Sequence, residues 1–238
     1  MASQLSEMST AIKPLLLAGG RSTRMGSRKE LLCLANDIPI YEQQLLRLHH
    51  AFPESDAVFL SLPSPASLPE ILENPRIERV ADTTFRLHTA NSSPPFIVYI
   101  LYDNPGEDLG PAAGLLSAYR YDNSATWLVV ACDYPFFPVS ALRYLRGHMA
   151  GPVTCFENAD GIYEPLLGIW TPEALSLLDQ NVQRGILGPK AVALESKGTS
   201  IRPESEIWLF NMNTRAEYEQ ALRMSDEMNN CADNMKAS

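Results

Sequence analysis

Cysteine is scarce: the 238 residues hold only Cys33, Cys132, Cys155 and Cys231, and no two share a Cys-x-x-Cys spacing. A zinc site or a disulfide framework is therefore not expected, and a reduced cytoplasmic setting fits. Long hydrophobic runs are missing too. No apolar stretch reaches the ~18 residues that a membrane helix requires, so no membrane partner is expected. Positive charge is in deficit, with 19 Lys and Arg against 28 Asp and Glu and a net charge of −9. That balance argues against a general affinity for nucleic acid, but leaves room for a local basic pocket around a phosphorylated small molecule. Histidine is equally sparse (His49, His50, His88 and His148), and no Ser/His/Asp spacing stands out, so no covalent nucleophile is expected. The first twelve residues carry no arginine and no continuous apolar core, unlike a signal or transit peptide.

What is present is an ordinary globular composition, 45% hydrophobic and 20% charged. A chain of this length buries roughly 70% of its unfolded surface and needs no covalent staples. Short apolar runs alternate with amphipathic segments. Strands are expected at Pro14–Ala18, Ala57–Leu62, Phe96–Tyr102, Trp127–Cys132, Val153–Phe156 and Ile207–Phe210. Helices are expected at Ile40–His50, Pro111–Tyr121, Val139–His148, Pro172–Leu178, Pro189–Leu194 and Thr214–Met224, several opened by Pro at the first turn. The last is expected to be capped by Thr214 with Glu217 three residues on. Strands alternating with helices imply an α/β fold: a single Rossmann-like three-layer domain with a mostly parallel sheet, over residues 13–224. Residues 1–12 are expected to be flexible, Thr83–Pro95 to be a loop insertion, and residues 225–238 to be a disordered tail.

The strongest local signal follows the first strand: Leu17-Ala18-Gly19-Gly20-Arg21-Ser22-Thr23-Arg24-Met25-Gly26-Ser27-Arg28-Lys29. In an open parallel sheet, ligands sit beyond the carboxyl ends of the strands. Glycines there let backbone N–H groups approach phosphate oxygens, and Arg24 and Lys29 add fixed positive charge. The loop is neither a Walker A motif nor a dinucleotide fingerprint, since Gly-Lys-Ser/Thr and G-x-G-x-x-G are both absent. A tight turn with solvated basic residues is the plain alternative. Phosphate binding is the better reading of so many glycines and cations in eleven residues.

The segment resembles the L-A-G-G-x-S-x-R-M-G-x-x-K signature of MobA-like nucleotidyltransferases, the molybdenum cofactor guanylyltransferases and their relatives, and every fixed position is present. The resemblance runs from about Lys13 to Leu222, in three further segments. Asp103 is followed by Gly110-Pro111-Ala112-Ala113-Gly114, similar to the family's Asp and G-P-L-A-G, with Ala112 in place of the commoner Leu. Val130-Ala131-Cys132-Asp133-Tyr134-Pro135-Phe136 leaves a lone carboxylate at the end of a buried strand, where it should face a cation or donors. It resembles the family element whose Asp binds the metal. Phe210-Asn211-Met212-Asn213-Thr214 is similar to N-x-N-T-P-E-E-L, with Arg215 in place of Pro. Asn211 could meet the metal or phosphates, and Asn213 either helps or caps the helix. Glu164, in Tyr163-Glu164-Pro165-Leu166, puts negative charge where some relatives carry a cation.

The resemblance implies a nucleotide-diphospho-sugar transferase type of fold and an Mg²⁺-dependent transfer of a nucleoside monophosphate, GMP from GTP, to a phosphorylated acceptor such as molybdopterin. It places Lys29, Arg24 and Asp133 in catalysis and Asp133 and Asn211 on the metal. Leu17, Ala18, Gly19, Gly20, Ser22, Arg24, Gly26, Lys29, Asp103, Gly110, Pro111 and Gly114 would bind the nucleotide. A cytidylyl- or other nucleotidyltransferase with a different acceptor, and a non-catalytic nucleotide-binding module, stay open. The Gly19-Gly20 pair favours guanylyl transfer, and the retained Lys29 and Asp133 argue against the non-catalytic module.

Overall fold

A computed structural model describes residues 11–19, 28–34, 37–89 and 94–236, the last six of these as backbone only. The expected flexibility of residues 1–10 falls outside that range. So do the proposed phosphate-loop positions Gly20, Ser22, Arg24 and Gly26.

The chain opens on β1 (Lys13–Leu17), then α1 (Ile40–Ala51) and β2 (Val58–Leu62). The short α2 (Pro69–Leu72), β3 (Ile77–Ala81), β4 (Thr84–Leu87) and β5 (Phe96–Tyr102) follow. Next come α3 (Pro111–Tyr121), β6 (Trp127–Ala131), α4 (Val139–Gly147), β7 (Val153–Glu157) and β8 (Tyr163–Trp170). The chain ends with α5 (Pro172–Gln183), α6 (Pro189–Glu195), β9 (Thr199–Ile201) and α7 (Arg215–Lys236). The nine strands form one sheet in the order β3-β4-β5-β2-β1-β6-β8-β7-β9. Its heart, β5-β2-β1-β6, is parallel, and β3, β4 and β8 join antiparallel.

Alternation along β1 explains the three layers. Leu16 packs with Leu60 of β2 and Val130 of β6 against Leu45 and Leu48 of α1 and Leu142 and Leu145 of α4. Leu15 and Leu17 face the other way, joining Phe59, Val129, Leu115 of α3 and Leu175 and Leu178 of α5. Successive strand residues point to opposite faces, so one apolar run supplies both cores. A buried Leu truncated to Ala in such a core costs about 2–5 kcal/mol.

Three expectations are corrected. Ile207–Phe210 is not a strand: residues Glu206–Leu209 form a 3-10 turn that buries Trp208. A four-residue apolar run has no readable period, and burial of one large ring decides its shape. Thr83–Pro95 is not all loop, because Thr84–Leu87 is a strand between β3 and β5, with Phe85 and Leu87 inward. The tail is helical rather than disordered: α7 continues past Met224 to Lys236. Its start is a reciprocal cap, in which Thr214 Oγ1 accepts from Glu217 N and Glu217 Oε2 accepts from Thr214 N.

Candidate active site

β1 has β2 on one side and β6 on the other; α1, the crossover from β1 to β2, packs on one face of the sheet, and α3, the crossover from β5 to β6, packs on the other. That makes β1 a switch point, where crossovers diverge and open a crevice at the carboxyl ends of the strands. A cleft lies there. Leu17, Ala18 and Gly19 enter it from β1, Ser61, Leu62 and Pro63 from β2, Asp103 from β5, and Ala131, Cys132 and Asp133 from β6. Lys29 and Glu30 close one side, and the start of α3 (Gly110, Pro111, Gly114) another.

Two glycines are demanded by close approach. A Cβ on Gly114 would lie 2.7 Å from Leu17 Cδ2 and from Ser61 Oγ, so any other residue there would have to displace both side chains. A Cβ on Gly19 would lie 2.5 Å from Pro63 Cδ. Ala112, the departure from the family's Leu, is fully buried in the core behind the helix and does not line the cleft. Asp103 accepts a hydrogen bond from Ser117 Oγ at 3.4 Å, and burial raises its carboxyl above its ordinary range.

Lys29 and Asp133 meet across the cleft. Lys29 Nζ lies 3.6 Å from Asp133 Oδ2 and donates to Asn213 Oδ1 at 2.7 Å. Asp133 Oδ1 is buried with no hydrogen-bond partner among the described residues, and so is Asn211 Oδ1. Burial pushes the Asp133 carboxyl up, and Lys29 only partly counters it. Asn211 is a weaker influence in the same direction as Lys29. The two unpartnered oxygens, on a carboxylate and an amide, are of the kind a hard divalent cation takes.

Sequence reasoning missed Glu30, Ser61, Pro63 and Leu166. Glu30 is 4% exposed and accepts from Arg28 Nε at 2.8 Å. Arg28 also donates to Ser67 O at 2.8 Å and to Glu70, so this loop arginine ties the chain to α2. The nearest available signal was an alternation of charge, Arg28-Lys29-Glu30, beside an apolar stretch. Ser61 and Pro63 were invisible because only the strand order brings them to β1. In Tyr163-Glu164-Pro165-Leu166, Leu166 lines the cleft while Tyr134 Oη donates to Glu164 Oε2 at 2.9 Å.

Fold and cleft together define an α/β protein with a cleft at the carboxyl ends of a mostly parallel sheet. The chain belongs to the MobA-like NTP transferase domain family, whose model matches residues 14–194. It is 27% identical over 214 residues to a "Molybdenum cofactor biosynthesis bifunctional protein" of Synechocystis sp., covering 89% of this chain and 54% of that one. It is 28% identical over 165 residues to a "Molybdenum cofactor guanylyltransferase" of Rhizobium rhizogenes, covering 67% and 63%. The chain thus spans little more than half the length of these curated relatives. In fold it is similar to the crystal structure of molybdopterin-guanine dinucleotide biosynthesis protein A from Archaeoglobus fulgidus, with TM-score 0.66, 16% identity, and coverage of 91% of this chain and 100% of that one. Among the described residues no helix is long and apolar enough to cross a membrane.

Proposed function

We propose that this protein transfers a nucleoside monophosphate, GMP from GTP, to a phosphorylated acceptor of the molybdopterin class in the cytoplasm, releasing pyrophosphate. The observation that carries the reading is the Lys29–Asp133 pair at the strand ends, with one carboxylate oxygen buried and unpartnered. The names of the relatives support guanine and molybdopterin, and Ala112 gives no reason to prefer another base, since it sits in the core.

An acceptor phosphomonoester, with a second pKa of about 6, is already dianionic near neutrality and needs no strong base. Its oxygen attacks the α-phosphorus in line; the new P–O bond forms as the bond to the bridging oxygen breaks, and pyrophosphate carries the charge away. The protein's work is alignment and charge neutralisation. Lys29 donates to the oxygens of the α-phosphate, and Arg24 with the loop amides holds the outer phosphates. Mg²⁺, held by Asp133 and Asn211, would neutralise charge on the phosphates it joins. Gly110, Pro111 and Gly114, with Asp103, face the nucleoside.

The test is to incubate the protein with Mg²⁺, each of the four NTPs and candidate acceptors including molybdopterin, and to follow pyrophosphate. GTP- and acceptor-dependent release is expected. Preference for CTP with another phosphorylated acceptor would move the protein to a cytidylyl branch, and nucleotide binding without pyrophosphate release from any NTP would leave only a non-catalytic nucleotide-binding module.

A further inference from the structure

We infer that Asn213 and Glu217 are positioning residues for Lys29, an anchor that holds its ammonium over the cleft before any nucleotide arrives. The inference rests on the reading above for what Lys29 does, but not for how Lys29 is held. Lysine has four rotatable side-chain bonds, and ordering it costs entropy comparable to the gain from one good hydrogen bond. Here the geometry is fixed from behind. Lys29 Nζ donates to Asn213 Oδ1 at 2.7 Å. Asn213 is held in turn through its own backbone, whose N–H donates to Glu217 Oε2 at 2.7 Å. The same oxygen accepts from Thr214 N at 2.7 Å and from Thr214 Oγ1 at 3.0 Å. A single carboxylate oxygen thus gathers three donors and fixes the turn that presents Asn213. Ordinary helix capping accounts for the Thr214 bonds. It does not account for the Asn213 side chain, which points away from the helix to an ammonium 184 residues earlier.

The neighbouring contacts share this arrangement. Met212 N donates to Asp133 O at 2.9 Å, so the strap that carries Asn213 is pinned to the other charged member of the site. Tyr218 Oη donates to Cys33 O at 2.8 Å and ties α7 to the segment just after Lys29. Met212, Asn213, Thr214, Glu217 and Tyr218 all lie beyond residue 194, where the match to the family model ends. The turn before α7 therefore reaches the site through Lys29, although the residues that line the cleft itself all fall within residues 14–194.

Two measurements test the anchor. In the ligand-free protein, with lysine side chains labelled, the motional order of the Lys29 ammonium is read by NMR in wild type, Asn213→Ala, Glu217→Ala and Glu217→Gln. High order in wild type is expected, with loss in both alanine variants and partial retention in Glu217→Gln, which keeps an acceptor oxygen. Equal order in wild type and Asn213→Ala overturns the inference. In the second arm, Asn213→Ala is expected to lower kcat/KM for the NTP roughly 10-fold, the ordinary loss for one charge-assisted hydrogen bond. The double variant Lys29→Ala/Asn213→Ala should then be no worse than Lys29→Ala alone. Additive losses would show that Asn213 acts independently of Lys29, which also overturns the inference. If wild type shows no turnover with any NTP, the reading of function fails, and the order of the Lys29 ammonium still decides whether the anchor exists.

Discussion

The chain builds two lysine–aspartate pairs at opposite ends of the same strands, and they behave in opposite ways. At the amino end of β1, Lys13 Nζ lies 2.5 Å from Asp122 Oδ2. It also sits 5.4–5.8 Å from the ring centres of Phe59, Tyr121 and Trp127. The other carboxylate oxygen accepts from Ser124 N and Ser124 Oγ. Both carboxylate oxygens have donors, and the Lys13 hydrogen bond, with those from Ser124, draws the Asp122 carboxyl down to about 2. At the carboxyl end, Lys29 and Asp133 stand 3.6 Å apart, one Asp133 oxygen has no partner, and burial moves that carboxyl up instead. The side chains expose similar surface, 28% and 27% in the first pair and 15% and 22% in the second, but Asp133 lies much deeper in the protein than Asp122. What separates the pairs is that depth together with whether both carboxylate oxygens find donors. A pair with donors on both carboxylate oxygens is a structural tie; one with a buried, unpartnered oxygen is a candidate ligand site.

The comparison breaks most visibly at Asp133. Asp133→Asn should lower Mg²⁺-dependent turnover by roughly 100-fold or more, as expected when a group that helps neutralise phosphate charge is removed. The unliganded fold should be spared, because the carboxylate replaced is buried and incompletely paired. An unfolding free energy within ~0.5 kcal/mol of wild type would agree. Near-full turnover, or a large loss of stability, would put Asp133 in the same structural category as Asp122.

Next in size is Lys29. Lys29→Ala should cost roughly 10- to 150-fold in kcat/KM for the NTP, from the loss of charge-assisted hydrogen bonds worth ~1.5–3 kcal/mol. Arg24→Ala belongs to the same range. Lys13→Ala, by contrast, should leave kcat/KM where it is while lowering the melting temperature. Steady-state kinetics and calorimetry on the two lysine variants read the contrast directly, and it collapses if Lys29→Ala leaves NTP kinetics unchanged.

The two ends differ as well in how legible they were. Residues on the apolar strands and at Pro-opened helices were readable, and Phe96–Tyr102 and Pro111–Tyr121 match their expected bounds. The β8 strand was not, because Pro165 and Gly168 interrupt its pattern; Gly168 is there since a Cβ would lie 2.9 Å from Thr154 O of β7. The outer strand β3 carries Glu78 and Arg79 exposed, with no inward face to reveal it. In the cleft, Lys29, Asp103 and Asp133 announced themselves by type and by following glycines or apolar runs. Their partners did not. Asn213 reads as a helix-capping residue until the fold sets it against Lys29, and Ser61 gains meaning only from the strand order. Lys13 and Asp122 gave no sign of pairing, being 109 positions apart.

The smallest effect expected is at Asp122, and its sign is fixed by the direction of the shift. The folded carboxyl is held at about 2, below the ordinary aspartate value of about 3.9 in an unfolded chain. Between those values the unfolded state binds more protons, so stability rises with pH across that window. The contribution is fully present above about pH 4 and fades as pH falls toward 2. The pair is partly exposed, so solvent screening reduces its worth to about 1 kcal/mol or less. Asp122→Asn should therefore lower the urea midpoint slightly at pH 7 and leave a flatter stability profile between pH 4 and 2. Turnover with NTP at neutral pH should match wild type, because Asp122 lies at the end of the sheet away from the cleft. An Asp122→Asn protein whose acid profile tracks wild type would show that the carboxylate is not tied as its hydrogen bonds indicate. A fall in its turnover would show that the two pairs communicate through β1, and that the tie at one end of the strand sets the geometry at the other.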